Sequence, residues 1–130
     1  MLAEEARQLL EPGYMSIETG HFRLPNGQLQ VRVLTRMPGC KAKMIDWWFG
    51  YLDGIEKYRM WEPKSHLSLA WDEHWSPGRY VGASCLVKDK IGGAVQQMRI
   101  LFHDPTDFFE PGELDGAYVG AVICASAFDP

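Results

Sequence analysis

The sequence is poor in the features that mark several large classes of protein. Lysine and arginine, 13 in all against 17 acidic residues for a net charge of −4, form no basic cluster. There is therefore no electrostatic footprint for nucleic acid. No apolar run approaches the roughly 18 residues needed to cross a membrane, which predicts a protein with no membrane partner. Cysteine is scarce, with three residues at positions 40, 85 and 124 and no CxxC pair. An odd number of thiols without metal-ligand spacing predicts reduced cysteines in a cytoplasmic protein, buried as small apolar side chains rather than exposed as nucleophiles. The N-terminal stretch MLAEEARQLLEPG is acidic and helix-patterned, unlike the basic-then-apolar layout of a secretory signal. Internal repeats and low-complexity tracts are also missing.

What is present is an ordinary globular composition, 46% apolar and 23% charged over 130 residues, enough chain for one core. Leu2, Ala6, Leu9 and Leu10 space a short helix that Pro12-Gly13 ends. Tyr14 to Leu24 and Gln28 to Met37 pattern as strands around the turn Pro25-Asn26-Gly27. In the second strand Leu29, Val31, Val33 and Thr35 alternate with polar neighbours, the mark of a half-buried strand with its apolar row inward. Met37-Pro38-Gly39 breaks the chain. Met44, Trp47, Trp48, Tyr51 and Leu52 then fall on one helical stripe. Asp53-Gly54 ends that helix, and Ile55, Tyr58 and Trp61 line a second, shorter one. Pro63 pushes Glu62 out of helical geometry. Strands are predicted at 65–72, 80–91, 94–103 and 118–127, with Gly92-Gly93 as a tight hairpin turn and a loop over 104–116.

Three side chains stand out. His66 opens the strand after Pro63, and simple alternation puts it on a face with Ser68 and Ala70, opposite Leu67, Leu69 and Trp71. It is either a plain strand histidine or a ligand facing a cavity. Asp89 lies in an otherwise apolar row with Cys85, Val87 and Ile91. Such a carboxylate either pairs with Lys88 or Lys90 near the hairpin end or binds a metal. Tyr58, eight residues before His66, is either core or a hydrogen-bonding phenol. The five tryptophans, all between positions 47 and 75, either pack the core or wall a pocket for a flat ligand.

The run Met37-Pro38-Gly39, Met44-Ile45-Asp46-Trp47-Trp48-Phe49-Gly50, Tyr58 and Trp61-x-Pro-Lys-x-His66 resembles the diacetylphloroglucinol hydrolase family, over roughly residues 28 to 127. The resemblance implies an α+β chain with a Bet v 1-like helix-grip fold, a curved antiparallel sheet with two short helices. It divides the chain into an N-terminal helix and hairpin arm (1–27) and a partial helix-grip domain (28–130). It implies a zinc-dependent hydrolase that cleaves the carbon–carbon bond between an acyl group and a phenolic ring. His66 would be a zinc ligand and Tyr58 a catalytic residue near the substrate's phenolic oxygen. Asp89 would be a second ligand, in Val87-Lys88-Asp89-Lys90-Ile91-Gly92, where the family has a glutamate.

The family's remaining histidine and glutamate ligands sit four residues apart on a C-terminal helix. No such pair follows Asp89, since Pro105 breaks the interval between His103 and Asp107. The expectation is thus a C-terminally truncated member whose closing helix is missing. Its last strand would be exposed, favouring a homodimer or aggregation. Two rival functions follow from the incomplete ligand set: a non-catalytic binder of small apolar aromatic molecules, or an inactive remnant.

Overall fold

The computed structural model describes residues 19–113 and 119–130. The chain divides into two compact units, 1–41 with 105–122 and 42–104 with 123–130. The helix expected over Leu2 to Leu10, the start of the first expected strand and Tyr118 lie outside the described residues.

In the first unit, β1 (Thr19–Arg23) and β2 (Leu29–Val33) form an antiparallel hairpin with His21 opposite Val31. The turn between them follows from its residues. Gly27 takes φ 87°, the amide of Gly27 donates to the Leu24 carbonyl at 2.9 Å, and Asn26 Oδ1 accepts from the Gln28 amide at 3.0 Å. The alternation in β2 is as expected, but its sense is reversed. Leu29, Val31 and Val33 are 55–60% exposed, and Arg32 is the buried residue. Period two decides which residues share a face; which face finds packing is a tertiary matter. Later in the chain, Pro105–Asp107 form one 3-10 turn.

The second unit holds the core. Helix α1 (Ala42–Tyr51) is followed by α2 (Ile55–Trp61) and by β3 (His66–Trp71), β4 (Ser84–Ile91), β5 (Ala94–His103) and β6 (Cys124–Phe128). The four strands lie in the order β3-β4-β5-β6, each pair antiparallel. Gly92 and Gly93, at φ 59° and 89°, close the β4–β5 hairpin, where both turn positions need positive φ. Leu52, Tyr58, Tyr80, Cys85, Val87 and Phe102 form the buried cluster. Each large apolar side chain so buried contributes roughly 1.5–3 kcal/mol. An α+β architecture with antiparallel sheets and two helices is therefore established. Among the described residues no helix is long and apolar enough to cross a membrane.

Two expectations are corrected here. The buried side of α1 is built by Trp48, Phe49 and Leu52, whereas Met44, Trp47 and Tyr51 are 46, 58 and 37% exposed. Trp47 and Tyr51 instead stack on each other outside the core, with ring centroids 4.6 Å apart, as neighbours one helical turn apart can. The last strand is Cys124–Phe128 rather than 118–127. Its residues beyond Cys124 are exposed, as expected of a last strand with no cover.

The C-terminal carbonyls of α1, which a helix cannot satisfy internally, are each met. Trp48 O accepts from the Leu52 amide, Phe49 O from the Trp75 indole, Gly50 O from the Gly78 amide and Tyr51 O from Lys57 Nζ. The carbonyl of Leu52 accepts from the Trp71 indole. Helix α1 is thereby fastened to β3 and to the 72–79 loop. Gly50 and Gly78 make that approach possible, since a Cβ on Gly50 would lie 2.8 Å from Gly78 Cα.

Candidate functional site

His66, Asp89 and Tyr58 come together, by a route that simple alternation misses. His66 is the register partner of Asp89, but the pairing slips between His66 and Ser68, where Ser68 already faces Lys88. Leu67 is the extra residue of a β-bulge, a device that re-aims a side chain. From there on Leu69 pairs with Val87 and Trp71 with Cys85. The bulge thus moves His66 from the Ser68–Ala70 face to the face of Leu69 and Trp71. That face is covered by α2.

Helix α2 holds the histidine from several sides. Its C-terminus stops at Glu62, extended at φ −145° and ψ 96° ahead of Pro63. The Glu62 carbonyl accepts from the His66 amide at 3.2 Å, and its carboxylate accepts from the Ser65 amide. Hydrogen bonding from the Ser65 side chain first, and then from its amide, holds the Glu62 carboxyl below its usual value. Arg59 Nε donates to the His66 carbonyl at 3.3 Å. The imidazole lies flat on the Tyr58 ring, with centroids 3.5 Å apart and planes within 4°, and its Nδ1 is 2.8 Å from the Tyr58 carbonyl oxygen. A carbonyl only accepts, so Nδ1 carries the hydrogen. In the neutral ring the lone pair is then on Nε2.

Tyr58 joins the two other residues. It is 6% exposed, and its hydroxyl donates to Asp89 Oδ2 at 3.0 Å. Burial first, then the negative charge of Asp89 and the hydrogen bond to it, push the phenol well above its ordinary value. Tyr58 therefore keeps its proton and acts as a donor. Asp89 is 9% exposed, and its other oxygen, Oδ1, is buried with no hydrogen-bond partner among the described residues. Asp89 does not pair with a lysine in solvent, since it faces the core. Cys85 sits on the same row. Burial, with the charges of Asp89 and Asp72 adding, pushes its thiol up to about 12, so it is no nucleophile at neutral pH.

The atoms this cluster offers a metal ion are His66 Nε2 and Asp89 Oδ1. A histidine whose Nδ1–H is held by a carbonyl is oriented as metal-binding histidines are, and an orphaned buried carboxylate oxygen suits a cation. Both fit zinc as donors. Among the described residues no group of three or more histidine, cysteine, aspartate or glutamate side chains could hold a metal.

Two features escaped the sequence reading. Trp61, the last residue of α2, lies edge-on to His66 with centroids 5.5 Å apart. Gln96 is the partner of Asp89 on β5, so His66, Asp89 and Gln96 form one polar row across three strands. Only the register shows that row. The tryptophans do not wall one pocket: Trp71 and Trp75 bond to α1, and Trp47 stacks outside.

The fold is thus an α+β unit of two helices and a four-stranded antiparallel sheet, with Tyr58, part-buried His66 and Asp89 gathered beside its second helix. The chain belongs to the family of the DAPG hydrolase PhiG domain, whose model matches residues 1–129. It is similar to two 2,4-diacetylphloroglucinol hydrolases, one from a Pseudomonas species and one from Pseudomonas protegens. Each is 30% identical over 129 residues, covering 88% of this chain and 44% and 42% of the relatives. It is also similar to phloretin hydrolase of Eubacterium ramulus, at 25% identity over 107 residues, 71% of this chain and 36% of that one. The chain thus spans less than half the length of the curated relatives it matches.

Proposed function

We propose that this chain supplies part of a zinc-dependent hydrolase that cleaves the carbon–carbon bond between an acyl group and a phenolic ring. The names of the relatives support the reaction class. The observation that carries the metal is the buried, unpartnered Asp89 Oδ1 beside an oriented His66. His66 Nε2 and Asp89 Oδ1 would hold the ion, and the remaining ligands belong to residues outside those described. Bound there, zinc supplies Lewis-acid polarisation of an acyl carbonyl and activation of water. The wider architecture of such a protein is the helix-grip type, with this sheet and its two helices as one portion.

The chain's own residues do the rest. Tyr58, held protonated, fixes Asp89 through Oδ2 and presents its phenol oxygen beside the ligands, where it can accept a hydrogen bond from a substrate hydroxyl. Leu69, Val87 and Met98, paired in one row of the sheet, pack with Tyr58 in the apolar cluster, and a water-poor surround strengthens each polar contact. In the net reaction the acyl–ring bond breaks, the hydroxyl of water joins the acyl carbon as a carboxylic acid, and a proton replaces the acyl group on the ring.

A second reading, a non-catalytic binder of small aromatic molecules, is favoured by the two-donor count. Zinc titration of the chain and of His66→Ala and Asp89→Ala, alongside acetate release from an acetylated phloroglucinol, separates them. Zinc binding lost in both variants, with acetate release by the parent, supports the hydrolase. Zinc binding unchanged in His66→Ala removes the metal site, and a phenol bound without zinc or turnover favours the binder.

A further inference from the structure

We infer that Trp61 is the platform on which the planar ring of a phenolic ligand stacks, an inference that rests on the reading of this site as an acylphenol site. Trp61 is 58% exposed at the end of α2. Its ring meets His66 at 5.5 Å and 72°, Tyr58 at 6.3 Å and 69°, and Phe49 at 6.2 Å and 88°. All three are steep contacts, so they fix the indole without any described ring lying parallel to it. The other tryptophans are differently employed. Trp47 is exposed too, but Tyr51 already stacks on it at 16°. Trp71 and Trp75 stack on each other at 20° and bond through their indole N–H groups to α1, while Trp48 packs on the core.

Trp61 is thus a solvent-facing aromatic ring without a stacking partner among the described residues, one ring away from the metal-donor atoms. Leaving so large an apolar surface in water is unfavourable, and a flat ligand would cover it. A ring stacked there carries its substituents toward His66, so the same residue would select planar over puckered substrates and set the approach of the acyl group.

The test uses the full chain, Trp61→Leu and Trp61→Phe, with phloroglucinol and its saturated triol counterpart as calorimetric probes and zinc content as the control. Trp61→Leu is expected to weaken phloroglucinol binding about tenfold and leave zinc content unchanged. Trp61→Phe, which keeps a flat ring, is expected to restore binding to within about threefold of the parent. The saturated triol should not distinguish the three proteins. Equal phloroglucinol affinity in Trp61→Leu and the parent, or an equal loss for the saturated triol, overturns the platform. A parent that binds no phloroglucinol also overturns it, while acetate release from an acetylated phenol decides separately whether the hydrolase reading stands.

Discussion

Tyr58 and Asp89 are worth most as a pair. The hydroxyl of Tyr58 is the one hydrogen-bond donor given to a buried carboxylate whose other oxygen has none among the described residues. Tyr58→Phe therefore removes a hydrogen bond to a charged group, and urea denaturation of metal-free protein should show a loss of about 1.5–3 kcal/mol. Tyr58→Phe with Asp89→Val replaces both partners by apolar groups and should recover more than half of that loss. A double variant no more stable than the single one would show that Asp89 is held by something other than Tyr58. At this scale the sequence was informative because residue type and motif spacing carry chemistry: His66, Tyr58 and Asp89 were each nameable. What they do to one another was not. The stacking of His66 on Tyr58 and the pairing of Tyr58 with Asp89 depend on how α2 lies on the sheet, which no local pattern encodes. Trp61 was read as one aromatic in a helical stripe and one of five tryptophans that could pack or wall a pocket, with nothing to single it out.

Elements were legible wherever a turn residue marks them and misread wherever packing chooses between equivalent faces. Gly92-Gly93, Pro25-Asn26-Gly27 and Pro63 each fix backbone geometry by their own chemistry, and the strands and helices beside them are present, though β2 ends at Val33 rather than Met37 and β4 begins at Ser84 rather than Tyr80. The face of His66 was misassigned because one inserted residue, Leu67, resets a count of two. The stripe on α1 was taken one step off because Trp47 and Tyr51 satisfy each other outside. The anchoring of α1 gives a prediction with an internal control. Gly50→Ala improves helix propensity by about 1 kcal/mol but drives a Cβ to 2.8 Å from Gly78 Cα, whereas a Cβ at Gly54 meets nothing within 4 Å. Overpacking against backbone typically costs about 1–3 kcal/mol, so Gly50→Ala should melt below the parent despite its propensity gain. Gly54→Ala, at extended backbone, should melt close to the parent. Equal melting temperatures for the two variants would mean the 72–79 loop is not seated on α1.

At the scale of the whole molecule, stability and association both follow from where polar and apolar groups end up. Burial alone would raise the Asp72 carboxyl. Hydrogen bonds from the Ser84 hydroxyl at 2.7 Å, the Ser84 amide at 2.9 Å and the His74 amide at 3.1 Å outweigh it and hold the group below its usual value. A carboxyl depressed on folding stabilises the native state above its unfolded value, near about pH 4, and the contribution is lost as pH falls through the folded value. Asp72→Asn should therefore lower stability at neutral pH and flatten the acid limb of a urea-midpoint profile below about pH 4; a parallel downward shift at every pH would remove Asp72 as its source. Association turns on β6. Among the described residues β6 pairs with β5 alone, Ala125 to Phe128 are exposed, and Phe128 is 46% accessible. Its outer edge carries no lysine or proline, the usual guards against a second strand. The chain should therefore self-associate through this edge as concentration rises, seen by sedimentation velocity as a shift from monomer to dimer or larger species. Ala127→Lys, on an exposed position of the edge, should push that shift to higher concentration. Val31→Lys, on the exposed apolar row of β2, serves as the comparison. If Val31→Lys restores the monomer and Ala127→Lys does not, the hairpin rather than the sheet edge drives association. A parent that stays monomeric throughout would show that a bare edge of five residues is too short to recruit a second chain.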